Sequence, residues 1–278
     1  MTTPRAVRAL IVGGRGGIGG AFAELLIKEN PANVVVATSR SDAWAAGEDS
    51  GSPDSPPPFS SPSLRRARLD PTSDNDYVEL FGSLKDSGFR PNVVLYCGGF
   101  LSDADSGMRP ETSLKQLTLE SLQANASANM FGAAMLMRHA LGGDLVDRKE
   151  DWSVFAAWSA RVGSTSENNL GGWHAYRASK AALNSFVKTS SIELRRTHPG
   201  LRVASVHPGT VDTALSEPFM GAKKRESLVS EYEELDPEKS YSFFTPEVSC
   251  RHLWRVLQGL ETEDSGAFMD YRGDRIGY

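Results

Sequence analysis

Two cysteines in 278 residues, Cys97 and Cys250, leave no material for a disulfide framework. There is no CxxC pair and no Cys/His cluster, so no metal site is expected, and the cysteine usage points to a reducing, cytoplasmic setting. No apolar run approaches about 18 residues, which argues against a membrane span. The first strand begins by Val7, leaving little room for a targeting peptide. Net charge is -5, so a nucleic-acid footprint is not expected. The short run Arg65-Arg66-Ala67-Arg68 reads as a solvated strand entry. Hydrophobic residues at 40% and charged residues at 23% are ordinary for a globular chain, long enough for one large α/β domain spanning 1–278.

Glycine, by contrast, is concentrated. "GGRGGIGG" (13–20) follows the branched apolar run "VRALIV" (7–12) and precedes a helical pattern carrying Ile18, Phe22, Leu25 and Leu26 on one face. "NVVVATS" (33–39) is a second buried strand, so the glycines sit inside a βαβ unit. Further strands are expected at 66–70, 92–97, 153–159, 202–207 and 266–271. Helices are expected between them, over about 110–141 and 174–196 and from Thr245 and Pro246 onward. This rhythm predicts an α/β fold, a single Rossmann-type doubly wound parallel sheet of about seven strands. Residues 41–63, rich in Ser, Pro, Gly and Asp, read as a mobile insertion. Residues 216–240 are polar and irregular.

The glycine stretch has two registers, Gly14-x-Gly16-x-x-Gly19 and Gly13-x-x-x-Gly17-x-Gly19. Both put bare backbone where a pyrophosphate would meet a helix N-terminus. An NAD site usually has an acidic residue at the end of the second strand, where this chain reads Thr38-Ser39-Arg40. Arg15 and Arg40 could instead meet a 2'-phosphate, which favours NADP(H) over NAD(H). Tyr176 and Lys180 are four apart and share a helix face. A nearby ammonium lowers a phenol's pKa from about 10 and suits the pair to proton transfer at a carbonyl oxygen.

Taken in order, these motifs resemble the short-chain dehydrogenase/reductase family, and within it the C-factor-like or sniffer-like branch of carbonyl-reductase type. The resemblance rests on Gly13-x-x-x-Gly17-Ile18-Gly19, Asp70, the glycines after strand four, Tyr176-x-x-x-Lys180 and "HPGTVDT" (207–213), and covers nearly all the chain outside 41–63. It implies Tyr176 as acid–base residue and Lys180 as its pKa-lowering partner on the nicotinamide ribose. Asn129 would position a relay water, and Asp70 would contact the adenine. Gly13, Arg15, Gly16, Gly17, Ile18, Gly19, Arg40, Cys97, Gly98 and Gly99 would line the cofactor cleft. Pro208, Gly209, Val211 and Thr213 would hold the nicotinamide amide. It also implies a small carbonyl substrate, a substrate lid over 214–245, whose polar, weakly packed character suits motion, and homodimers or homotetramers through the two long helices, although monomers occur in this branch.

Three departures stand out. Val12 replaces the family's threonine before the first glycine of the turn. Tyr96-Cys97-Gly98-Gly99 replaces Asn-Asn-Ala-Gly. Counting back from Gly163, the usual catalytic serine falls on Ala160, leaving Ser159 first and Ser164 second as substitutes. Phe100, Leu101, Trp158, Trp173, Phe219 and Met220 are expected to line an apolar substrate pocket. His174 reads as a helix-start residue, His207 as a packed strand end, and Cys97 as a small filler behind the nicotinamide. The sequence therefore supports an NADP(H)-dependent reductase of a small carbonyl compound. The alternative is a catalytically weak nucleotide-binding sensor or signalling protein of the same fold, kept open by Ala160 and Tyr96-Cys97.

Overall fold

A computed structural model describes residues 6–46, 63–219, 221, 227–234 and 243–278. Seven strands form one parallel sheet: β1 (Arg8–Val12), β2 (Val34–Ser39), β3 (Leu64–Arg68), β4 (Val93–Tyr96), β5 (Ser153–Trp158), β6 (Leu201–His207) and, last in the chain, Ala267–Asp270. Numbering only these seven along the chain, their order is 7-6-5-4-1-2-3. The order reverses between β1 and β4, and ligands of such sheets bind outside the strand ends at that switch. Every residue of β4 and β5 is buried, as expected for strands covered on both faces.

One face is covered by α1 (Gly17–Glu29) and the helix at Pro246–Gln258, which pack Phe22, Leu26, Leu253 and Trp254 against alternate strand residues such as Ile11 and Ala156. The other face is covered by α3 (Asp74–Asp86), the helical segment 119–142 and the helix at His174–Leu194. These bury Tyr77, Leu136 and Leu183 against Leu10, Tyr96 and Ala157. The sequence signals for these helices hold locally. Ser73 caps α3, and Thr245 caps the Pro246–Gln258 helix with proline at its first position.

Strand β3 lies two residues earlier than the pattern predicts. It is an edge strand paired only with β2, so its arginines can face solvent, and such charge blunts an edge. Residues 41–46, read as the start of the insertion, include α2 (Asp42–Ala46). It forms because Trp44 is buried and Arg66 lies over its ring at 5.1 Å. Most of that stretch, 47–62, lies outside the described residues. So do parts of the expected lid. Described there are a turn at Glu217–Phe219 and the short strands β8 (Leu228–Val229) and β9 (Phe243–Phe244), which form a small parallel sheet with β7 (Thr210–Val211) just before the expected lid; the last strand of the large sheet is thus β10.

The helix expected from about Pro110 starts at Leu119. Ser113 and Thr118 each cap a new element and divide the stretch before it. From there α4 (Leu119–Ala126) runs into a widened π turn at Ser127–Phe131 and continues as α5 (Gly132–Met137). Such turns leave carbonyls without their usual partners and often mark functional sites. Here two buried phenols serve them: Tyr96 donates to the Ala128 carbonyl at 2.6 Å and Tyr77 to the Gly132 carbonyl at 2.7 Å. Tyr96→Phe should therefore destabilise the protein by about 1–3 kcal/mol, the usual effect of stranding a buried acceptor, read by chemical denaturation.

Candidate active site

The glycine turn sits between β1 and α1. Gly13 (φ 85°) and Gly17 (φ 54°) adopt left-handed backbone, and a Cβ on Gly19 would run into the Gly13 carbonyl. The first turn of α1 carries no acidic residue, and its N-cap, Gly16, makes no side-chain capping bond. Its leading N–H groups, with the helix dipole behind them, suit an anion. A Cβ on Gly17 would touch Thr213 Cγ2 at 3.3 Å, so the Pro208–Thr213 loop closes directly over the turn. Ser249 holds that loop by donating to the Pro208 carbonyl at 2.8 Å. Gly98 backs onto Gly13, and Cys97 pairs its N–H with the Val12 carbonyl at 2.8 Å. Gly16 caps α1, Ile18 lies in its first turn, and Gly209 and Val211 belong to the 208–213 segment. The absence of side chains here, the open helix end and the adjoining Thr213 fit the pyrophosphate and nicotinamide ends of a dinucleotide.

Arg15 and Arg40 are both exposed, one on the turn and one just after β2. Asp42, the nearest acid to the end of β2, pairs with Arg68 at 3.0 Å. Asp70 closes a turn after β3, its carboxylate accepting from the Thr72 N–H (2.9 Å) and hydroxyl (2.7 Å).

Across the cleft, α6 (His174–Leu194) buries Tyr176, Ser179, Lys180 and Asn184 on its sheet-facing side. Lys180 Nζ donates to the Trp158 carbonyl at the end of β5, at 2.8 Å. It lies 5.7 Å from the centre of the Tyr176 ring. Asn129, on the widened turn, accepts from Phe100 N–H (2.8 Å) and donates to the Phe100 carbonyl (2.9 Å) and Ser179 Oγ (2.9 Å). Ser179 in turn donates to the Tyr176 carbonyl at 2.7 Å. One amide thus joins the loop after β4 to the helix that carries Tyr176 and Lys180.

The electrostatics differ from the sequence expectation. Lys180 does not lower the Tyr176 pKa in this arrangement. Burial pushes the phenol well above its ordinary value, and burial pulls Lys180 down to about 7. The lysine's bond goes to a carbonyl instead of the phenol, and among the described residues none hydrogen-bonds the Tyr176 hydroxyl.

Ser164 is committed to its own loop, 3.1 Å from Ser166 Oγ and accepting from Glu167 N–H at 3.1 Å. Ser159 Oγ is buried without a partner, next to the carbonyl that holds Lys180. Trp158 does not line the pocket. Strand alternation turns its ring to the opposite face, 5.6 Å from Phe22 in the core under α1. Leu101 is buried and Phe100 half-buried. Trp173 and Phe219 meet at 5.3 Å, while Met220 lies outside the described residues. His174 opens α6 as expected. His207 packs against Tyr271, and its burial lowers its pKa to about 3.

The sequence reading passed over Glu111 and Ser179. Buried Glu111 accepts the Ala175 N–H at 3.2 Å and the Ser121 hydroxyl at 2.7 Å, tying α6 to α4. In "RPETSLK" it looks like any surface acid, and nothing local marks it. Ser179 lies inside the Tyr-to-Lys spacing, and a small hydroxyl there was the available signal.

Residues 7–224 match the family model for short chain dehydrogenase. The chain belongs to that family. It is 33% identical to the C-signal protein of Myxococcus xanthus over 118 residues, 42% of this chain and 57% of that one. It is 35% identical to an uncharacterized oxidoreductase of Schizosaccharomyces pombe over 104 residues, 37% of this chain and 38% of that one. The chain thus spans less than two thirds of either relative. A short chain dehydrogenase of Penicillium aethiopicum matches at 24% identity over 97% of this chain and 98% of its own. Among solved structures, the Sniffer carbonyl reductase of D. melanogaster superposes with a TM-score of 0.74 at 18% identity, over 99% of this chain and 100% of that one. An NADPH-bound carbonyl reductase from chicken fatty liver gives 0.73 at 21% identity, over 99% and 95%. Both share the fold.

Lys180 also sets a pH dependence. Its folded pKa of about 7 lies below the ordinary lysine value, so between pH 7 and about 10 the unfolded chain binds more protons at this site. The site's contribution to stability is complete above that window and is lost as pH falls toward 7. In thermal melts of nucleotide-free protein, the stability advantage of Lys180→Met over the natural chain should grow from pH 9.5 down to pH 7, by roughly the window these pKa values set.

Proposed function

We propose that the protein is an NADP(H)-dependent reductase of a small carbonyl compound. The observation that carries this reading is the convergence of Tyr176, Lys180 and Asn129 at the ends of β4 and β5, facing a glycine turn whose helix N-terminus is uncapped. Gly13–Gly19 and the Pro208–Thr213 loop would hold the dinucleotide, with Gly98 and Gly99 along the cleft and Asp70 at its adenine end. The cofactor supplies hydride to the carbonyl carbon. Exposed Arg15 and Arg40, with Asp42 drawn off by Arg68, favour a 2'-phosphate. That the chicken liver and Burkholderia multivorans structures of this fold carry NADPH and NADP supports the same choice.

Tyr176 donates its phenolic proton to the substrate oxygen. Its raised pKa keeps it protonated at neutral pH, as an acid requires. Lys180, with a pKa of about 7, can take a proton from the ordered water as the phenolate forms, and its ammonium then offsets the phenolate charge in the buried site. Asn129 holds Ser179 and the Phe100 loop, and in this reading also orders the water through which protons return. Ser159 is the hydroxyl we assign to the substrate oxygen, because its Oγ has no partner in the protein. The reading includes a lid over residues 214–245, a cytoplasmic location, and self-association through the segments 119–142 and 174–194.

Ala160 at the usual serine position favours a second reading, a nucleotide-binding sensor with weak catalysis. NADPH oxidation against a panel of aldehydes, quinones and aromatic ketones separates the two. The reductase reading expects turnover that Tyr176→Phe abolishes and Ser159→Ala lowers about 10²-fold, the effect of losing one oxyanion donor. Tight NADPH binding without turnover of any panel member supports the sensor. Arg40→Ala should raise KM for NADPH about tenfold and leave KM for NADH nearly unchanged, as loss of one charge-assisted contact predicts.

A further inference from the structure

Trp173 immediately precedes α6, and its backbone lies at φ 51°, ψ 44°. That left-handed region is rarely entered by a bulky side chain, and strain of this kind gathers where function needs it. Gly171 (φ 63°) and Gly172 (φ 68°) lead the chain into it. Glu111 then holds it from two sides: its carbonyl accepts the Trp173 N–H at 2.5 Å, and its carboxylate accepts the Ala175 N–H at 3.2 Å. Glycine would occupy this position without strain.

The indole is not needed by either core, for Trp173 is half-buried and belongs to neither apolar cluster. Its ring instead meets Tyr176 edge-on at 6.1 Å (75°) and Phe219 at 5.3 Å (55°). The strained backbone therefore sets an aromatic plane between the proton-carrying phenol and the segment that follows β7.

We propose that Trp173 is a specificity-determining residue, the wall on which a flat aryl carbonyl lies with its oxygen toward Tyr176. The proposal rests on the reductase reading of the same site. A carbonyl conjugated to an aromatic ring is coplanar with it, so a wall that sets the ring's plane also aims the oxygen. A saturated ring of equal size is puckered and makes poorer face contact with the indole.

The test separates the wall from the reaction. Benzamide and cyclohexanecarboxamide are alike in size and are not reduced; their binding is measured by calorimetry with NADPH present. The natural chain should prefer benzamide by about fivefold, the usual scale of an aromatic pair. Trp173→Gly should bring the ratio to about one, with an unchanged or higher melting temperature, and Trp173→Phe should keep part of the preference. The ratio of kcat/KM for benzaldehyde over cyclohexanecarbaldehyde should fall in parallel. Equal binding of the two amides by the natural chain overturns the proposal, as does a preference that survives Trp173→Gly. So does a lower melting temperature in that variant, which would make the indole structural. An amide preference that depends on Trp173, with no aldehyde, quinone or aromatic ketone of the panel turned over, upholds the wall and overturns the reductase reading alone.

Discussion

A lysine side chain buried to 3% exposure, with its ammonium nitrogen 2.8 Å from the Trp158 carbonyl, fastens α6 to the end of β5. Removing such a group from water is costly, and its pKa falls until the neutral form competes at neutral pH. The arrangement persists because the surrounding packing is extensive: α6 also buries Leu183 and Val187 against the sheet. Where this helix starts, how it is rotated and which of its side chains enter the cleft all follow from that anchorage. Tyr176 sits one turn earlier on the same face, and Ser179, next to the lysine, reaches Asn129.

A second constraint comes from the segment beside it. Tyr96 is the last residue of β4. Its phenol reaches the Ala128 carbonyl on the widened turn of the neighbouring helix. Asn129, the next residue, is thereby presented to both the Phe100 loop and Ser179. Glu111 does comparable work at the start of α6, where Trp173 offers no side-chain cap and adopts a left-handed backbone. α6 is thus held at its start by a buried carboxylate, along its length by an amide, and at its inner face by a lysine.

Much of this was legible in the sequence. Parallel strands buried on both faces must be continuous apolar runs, so β1, β2, β4, β5 and β6 declared themselves within a residue or two. β3 did so less well, because an edge strand tolerates arginines and blurs its own pattern. The glycine turn was legible because close approach of Gly19 to Gly13 excludes every other residue type. Trp158 was misjudged as a pocket residue: proximity to the strand end was visible, but the face to which its ring turned was decided by pairing and alternation.

The sequence by itself determined the strand–helix rhythm, the glycine turn and the four-residue spacing of Tyr176 and Lys180. Each is a local pattern governed by backbone sterics or by the periods of strand and helix. Only the tertiary structure decided that Lys180 bonds to the Trp158 carbonyl and not the phenol, and that Ser164 is engaged while Ser159 is not. It alone put Glu111, an ordinary acid in sequence, beneath the start of α6. Those outcomes depend on burial and on partners distant in the chain, and the free energy of a buried polar group depends on what it meets, not on its neighbours in sequence.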